Sequence, residues 1–278
     1  MIRIRKEREA DLDNRAIGIL DSGVGGLTVL REIINKVPQE NTIYFGDTHR
    51  FPYGPKKLGD VKKYVFKAAE FLREKDVKMI VVACNTGSVA ALEDLKSHFD
   101  LPITGVIQPG ARTAVENTVN KRVGVIATKG TVESKAYEKE INKIDADIRT
   151  FSVAAPKLIE YVESGILEGE SLNKEIKDCL KPLLDENIDV LVLGCTHFPL
   201  IEKPILEISG NNIRVISSAV ETAKDVKQLL VEKGINAEKE NKVKRVFYET
   251  AEKSNFFKTG QIFLGRDISQ VKKAWLDV

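Results

Sequence analysis

Val81-Val-Ala-Cys84-Asn-Thr-Gly-Ser-Val-Ala-Ala91 is the stretch whose reading decides the fold. The apolar run from Met79 to Ala83 is short and rich in β-branched residues, as a strand covered on both faces is. It runs into Cys84, Asn85 and Thr86, and Ser88 can support a helix start. A strand, a polar turn and a helix in succession make the repeating unit of a parallel sheet, and ligands bind at the carboxyl ends of its strands. A thiol there serves either chemistry or packing.

The same outline returns in Leu191-Val-Leu-Gly-Cys195-Thr-His-Phe198: an apolar strand, a small residue, a cysteine, then hydrogen-bonding side chains. The two thiols stand about one domain's length apart. A single buried cysteine is ordinarily a small hydrophobe, but two in matching contexts are harder to assign to packing alone.

Around these phrases, strands and helices alternate. Ala16–Leu20 is the first expected strand, and it ends in Asp21-Ser-Gly-Val-Gly-Gly-Leu-Thr28. Gly23 and Gly25 begin a dinucleotide fingerprint, but its third glycine falls on Thr28, and no Gly-Lys-Ser/Thr follows for a phosphate loop. A backbone anion cradle at the helix start stays open. Asp21 reads equally as a cleft residue or as a turn or helix cap. Thr42–Gly46 is a second strand, followed by a loop through Pro52, Tyr53 and Gly54 with the texture of a binding loop. Further strands are expected at 101–107, 122–127, 147–153, 189–194, 214–216 and 244–248. Helices are expected over 58–75, from Ala111, from Thr131, from Pro156 to near Gly165, and over 171–184 and 219–233. Cys179 falls inside one of these helices as a structural residue, and the tail from Ser254 to Trp275 is expected to be partly helical and docked. The alternation predicts an α/β fold of parallel sheets with helices on both faces.

With 278 residues, 42% hydrophobic and 30% charged, a packed core of one large or two modest domains is expected. The formal charge of +2 gives no nucleic-acid footprint. No apolar run reaches membrane-spanning length, and the mixed charges of residues 1–15 read as a solvated extension, not a signal peptide. Three cysteines make no disulfide framework and suit a reducing cytoplasm.

Metal binding fits poorly: no C-x-x-C pair exists, and Cys195-x-His197 falls short of a four-ligand site. A cysteine hydrolase built on Cys195 and His197 leaves Cys84 without a task. Two thiols suit the inversion of a stereocentre beside a carboxylate, which takes a proton from one face and returns one to the other. Asp21 is the nearest helper for Cys84 and His197 for Cys195, with Glu163 placed to orient the imidazole. Ser22, Asn85, Thr86 and Thr196 offer hydrogen bonds to ammonium and carboxylate groups.

Asp21-Ser-Gly-Val-Gly-Gly-Leu27, Tyr44-Phe-Gly-Asp47, Pro52-Tyr-Gly54, Ala83-Cys-Asn-Thr86, Gly105-Val-Ile107, Ile126-Ala-Thr128 and Leu193-Gly-Cys-Thr-His-Phe-Pro-Leu200 together resemble the glutamate racemases, in order, from about Ile17 to the C-terminus. The resemblance implies a cofactor-independent interconversion of L- and D-glutamate that supplies peptidoglycan synthesis. It also implies two pseudo-symmetric three-layer α/β domains with the active site in the cleft between them. The first domain would comprise 16–103 plus 217–278, the second 104–216, and the assembly would be a homodimer by analogy. Carried onto this chain, Cys84 and Cys195 become the acid/base thiols, Asp21 the carboxylate beside the first, and Glu163 the partner of His197. Substrate contacts fall on Asp21, Ser22, Tyr53, Gly54, Asn85, Thr86, Thr196 and His197. The competing readings are an aspartate racemase of the same superfamily and a catalytically silent amino-acid-binding or regulatory protein.

Overall fold

The computed structural model describes residues 12–252, 256–268 and 270–276; most of the expected N-terminal extension, and Ser254 of the tail, lie outside them. The strands are β1 (Ile17–Asp21), β2 (Thr42–Gly46), β3 (Met79–Val82), β4 (Ile103–Gly105), β5 (Arg122–Ala127), β6 (Arg149–Ala154), β7 (Val190–Gly194), β8 (Arg214–Ser217), β9 (Arg245–Glu249) and β10 (Val271–Lys273). They form two sheets, of order β10-β9-β2-β1-β3-β4 and β6-β5-β7-β8, in which every pairing is parallel.

The two sheets share a plan. Counted within its own sheet, each runs second, first, third, fourth strand: β2-β1-β3-β4 in one and β6-β5-β7-β8 in the other. The reversal of strand order beside the first strand is the place where a crevice opens at the carboxyl edge. Cys84 follows the third strand of its sheet and Cys195 the third of the other.

Period two divides the strands between two cores. Leu20, Phe45, Ile80 and Val82 face the helices Leu58–Glu74 and Asn85–His98, where Val61, Val65, Leu72, Leu92 and Leu95 complete one cluster. Ile17, Ile19, Tyr44, Met79 and Val81 face the other way, into a core that continues through Leu27, Leu30 and Ile33 to Val125, Leu191 and Leu193 of the second sheet. One hydrophobic core therefore spans both sheets. No helix among the described residues is long and apolar enough to cross a membrane.

Several boundaries differ from the sequence expectation. The strand expected over 101–107 is only Ile103–Gly105, and the helix expected from Ala111 begins at Ile107. Pro109 falls in that helix's first turn, where its missing N–H has no intrahelical partner to lose. The single helix expected from Thr131 is two, Lys129–Glu133 and Ala136–Ile144, parted at Lys135 by a left-handed residue (φ 56°). Short helical segments at Phe198–Ile201 and Glu202–Ser209 were not expected, nor was the edge strand β10. The tail is otherwise docked through the helix Phe256–Leu264, which buries Phe256, Phe263 and Leu264.

At the amino ends of the strands, away from the thiols, Lys78 and Glu40 form an ion pair of 2.6 Å with both side chains fully buried. Lys78 Nζ also donates to the carbonyls of Asp13 and Ile235, and Glu40 Oε1 accepts from Ala237 N at 2.8 Å. The cluster ties the chain before β1 to the segment that returns to β9. Removing one partner of such a pair leaves a buried charge uncompensated. Lys78→Met should lower unfolding stability by about 3–5 kcal/mol in urea melts, and adding Glu40→Leu should recover most of it. Equal losses in the single and double variants would refute this account.

Candidate active site

The carboxyl ends of β1, β3 and β7 meet at the crevice between the sheets, around a cavity of about 400 Å³. Cys84 and Cys195 both line it, as do Ser22, Asn85, Thr86, Thr196 and His197, together with Tyr53, Gly54 and Glu163. Asp21 is the exception among the expected site residues. It is 2% exposed and stands behind the wall, its Oδ2 accepting from Gly23 N at 3.0 Å and its Oδ1 buried without a hydrogen bond among the described residues.

Cys84 caps the helix Asn85–His98: its Sγ accepts from Gly87 N at 3.3 Å and lies 3.8 Å from Ser22 Oγ. Burial, reinforced by the nearby Asp21 charge, pushes the thiol up to about 12, which keeps Cys84 protonated at neutral pH. Burial also raises the Asp21 carboxyl, against the opposing pull of His197 and the N–H groups around it. At the end of β7, Cys195 Sγ lies 3.6 Å from His197 Nδ1, while His197 Nε2 meets Glu163 Oε1 at 2.5 Å. Burial alone would lower His197, but its bonds to Cys195 and Glu163 prevail and push it up to about 10. Phe51 and Phe263 flank the imidazole at centroid distances of 6.0 and 5.2 Å and fix its plane.

The glycine-rich turn is explained by close approach. A Cβ on Gly25 would collide with Thr196 Oγ1 and His197 Cε1, and one on Gly26 with the Asp21 side chain. Thr28 Oγ1 reaches across to the carbonyl of Thr196 at 2.8 Å. The turn therefore seats the Cys195 loop against Gly25. Tyr53 lines the cavity by its ring, since its hydroxyl donates to Asp47 Oδ2 at 2.7 Å. Gly54 accepts at its carbonyl from Gly130 N at 3.1 Å. Thr86 shares a 2.9 Å hydrogen bond with Thr128, a further link between the sheets.

Sequence reading missed Phe51, Thr128, Lys129, Ile159 and Glu160 in the cavity wall. Thr128 stands in the quoted Ile126-Ala-Thr128 block at the end of β5, so strand-end position was the signal for it. Cys179 sits in the helix Glu170–Leu184 within the core, away from the cavity.

The profile of the Asp/Glu/Hydantoin racemase family matches residues 17–226. The chain belongs to that family. Relatives of this racemase include a glutamate racemase of Bacillus cereus, 39% identical over 95% of this chain and 98% of that one. Among solved structures, a glutamate racemase isoform of Bacillus anthracis superposes with a TM-score of 0.89 at 41% identity, covering 96% and 98% of the two chains. The glutamate racemase of Francisella tularensis, solved with D-glutamate, gives 0.88 at 34% identity over 96% and 99%.

The His197 shift has a defined effect on stability. An imidazole at about 6.5 when unfolded and about 10 when folded stabilises the fold fully below pH 6.5 and loses that contribution as pH rises through 10. The difference in melting temperature between wild type and Glu163→Gln should therefore be widest near pH 6 and shrink towards pH 10. A difference that grows with pH would contradict the Glu163–His197 pairing.

Proposed function

We propose that the protein interconverts L- and D-glutamate by a two-base mechanism that needs no metal or organic cofactor and supplies D-glutamate for peptidoglycan. The observation that supports this reading is that Cys84 and Cys195, carried by strands of different sheets, line one cavity, each with its own polar partner. The resemblance to glutamate racemases along nearly the whole chain gives the substrate.

In one direction a thiolate takes the α-proton while the opposite thiol delivers its own proton to the other face of Cα. The proton count of the pair is unchanged, and the two sulfurs have exchanged protonation states. His197, held protonated by Glu163, can pass a proton to Cys195. Asp21, behind Ser22 and beside Cys84, answers for the other side. Both faces of Cα thus carry an acid/base couple, which a reversible inversion requires. Ser22, Asn85, Thr86 and Thr196 would hold the ammonium and α-carboxylate, with the loop bearing Tyr53 and Gly54 closing on the side chain. The halves 16–103 plus 217–278 and 104–216 would contribute one thiol each, working in the cytoplasm as a homodimer, a state that sedimentation reads directly.

The decisive experiment incubates the purified protein with L-glutamate in D₂O and follows circular dichroism and NMR. Loss of optical activity should accompany deuterium incorporation at Cα. Cys84→Ser and Cys195→Ser should each reduce racemisation by about 10²–10⁴-fold. Unimpaired turnover in either variant would refute the two-base mechanism, and activity on aspartate in place of glutamate would move the substrate.

A further inference from the structure

Behind the cavity wall a chain of hydrogen bonds runs from the strand that delivers Cys195 to the residue that follows Cys84. Asn85 Nδ2 lies 3.0 Å from Tyr137 Oη, Tyr137 Oη lies 2.8 Å from Ser218 Oγ, and Ser218 Oγ lies 3.2 Å from the carbonyl of Leu193. Tyr137 and Ser218 are buried, 2% and 4% exposed, so none of these groups can turn to bulk water instead. Two glycines make room for the relay. A Cβ on Gly110 would stand 2.8 Å from Ser218 Oγ, and one on Gly194 would stand 3.0 Å from Tyr137 Cε2.

The protons in this chain have one consistent order. A carbonyl only accepts, so Ser218 gives its single proton to Leu193. Ser218 Oγ must then accept from Tyr137, whose single proton is spent there, and Tyr137 Oη must accept from Asn85. Only the amide nitrogen of Asn85 can meet that demand. Its oxygen is the other end of that amide, in a side chain that lines the cavity, and among the described residues the side chain's hydrogen bond is the one to Tyr137.

On the racemase reading above, we infer that Tyr137 and Ser218 are positioning residues: they lock the Asn85 amide so that Oδ1 is presented to the α-ammonium of the substrate. Neither touches the cavity. An amide free to turn over would offer N–H groups to an ammonium, a repulsive contact, so a fixed orientation converts an ambivalent side chain into a dedicated acceptor. The backbone of β7 thereby sets the polarity of a group one residue from the opposite thiol.

Tyr137→Phe removes the hydroxyl and keeps the ring. KM for glutamate should rise on the order of tenfold with kcat within about twofold, because the ammonium is held alike in ground and transition states. Glutarate, which has no ammonium, should inhibit the variant and the wild type with the same Ki. Ser218→Ala frees the Tyr137 proton to bond Asn85 Oδ1, which turns the amide over, so it should raise KM with the same split although it lies further away. In Asn85→Ala, adding Tyr137→Phe should change KM no further. A parallel rise in the glutarate Ki, additive effects in the double variant, or unchanged KM in both single variants would overturn the inference; should Tyr137→Phe fail to fold, Ser218→Ala decides. A wild type that neither racemises nor binds glutamate would overturn the racemase reading, and this inference with it.

Discussion

The site depends on how closely two turns approach one another: Asp21–Leu27 at the end of β1 and Cys195–Phe198 at the end of β7. Gly25 permits the contact sterically, and Thr28 fixes it with a hydrogen bond to the carbonyl of Thr196. Were that separation larger by a methyl group, Thr196 and His197 would lose their seat against Gly25. Proton transfer between rigid partners tolerates little displacement, since a shift of about 1 Å can lower rates about 10²-fold. The continuous core beneath the two sheets holds the turns in register, because close-packed side chains resist small displacements.

Electrostatic roles follow from that geometry and differ on the two sides. Cys84 has apolar surroundings, a helix N-terminus and a carboxylate behind it, and burial dominates. Cys195 faces an imidazole whose pKa is raised by its bonds to Cys195 itself and to Glu163. The strand plans are alike, yet the sulfur environments are not. A common topology supplies matched positions, and the local partners supply distinct chemistry.

Much of this was legible in the sequence. The repeated strand–cysteine–polar phrase marked both thiols, since a parallel strand exposes its carboxyl end whatever surrounds it. Ser22, Asn85, Thr86 and Thr196, which line the cavity, followed from the same rule, whereas Asp21 stands behind the wall. What stayed hidden depends on contacts far apart in the chain. Tyr137 lies on a helix face that buries Ile141 beside it, so its local pattern is that of any core aromatic. The kink at Lys135 turns on a single left-handed residue, and the helix start at Ile107 on a proline tolerated only in a first turn. Glu163 was placed as the partner of His197 by the resemblance; the 2.5 Å contact requires a fold that joins residues on separate elements.

Phe263, against the imidazole of His197, comes late in the chain, as do β9 and β10, which complete the six-stranded sheet. During synthesis the thiols, the glycine turn and Glu163 all leave the ribosome well before it. A nascent chain therefore carries both sulfurs before the wall that fixes His197 exists. The seat of the imidazole is complete only when the helix Phe256–Leu264 docks, so this part of the cavity is among the last pieces of the fold to form.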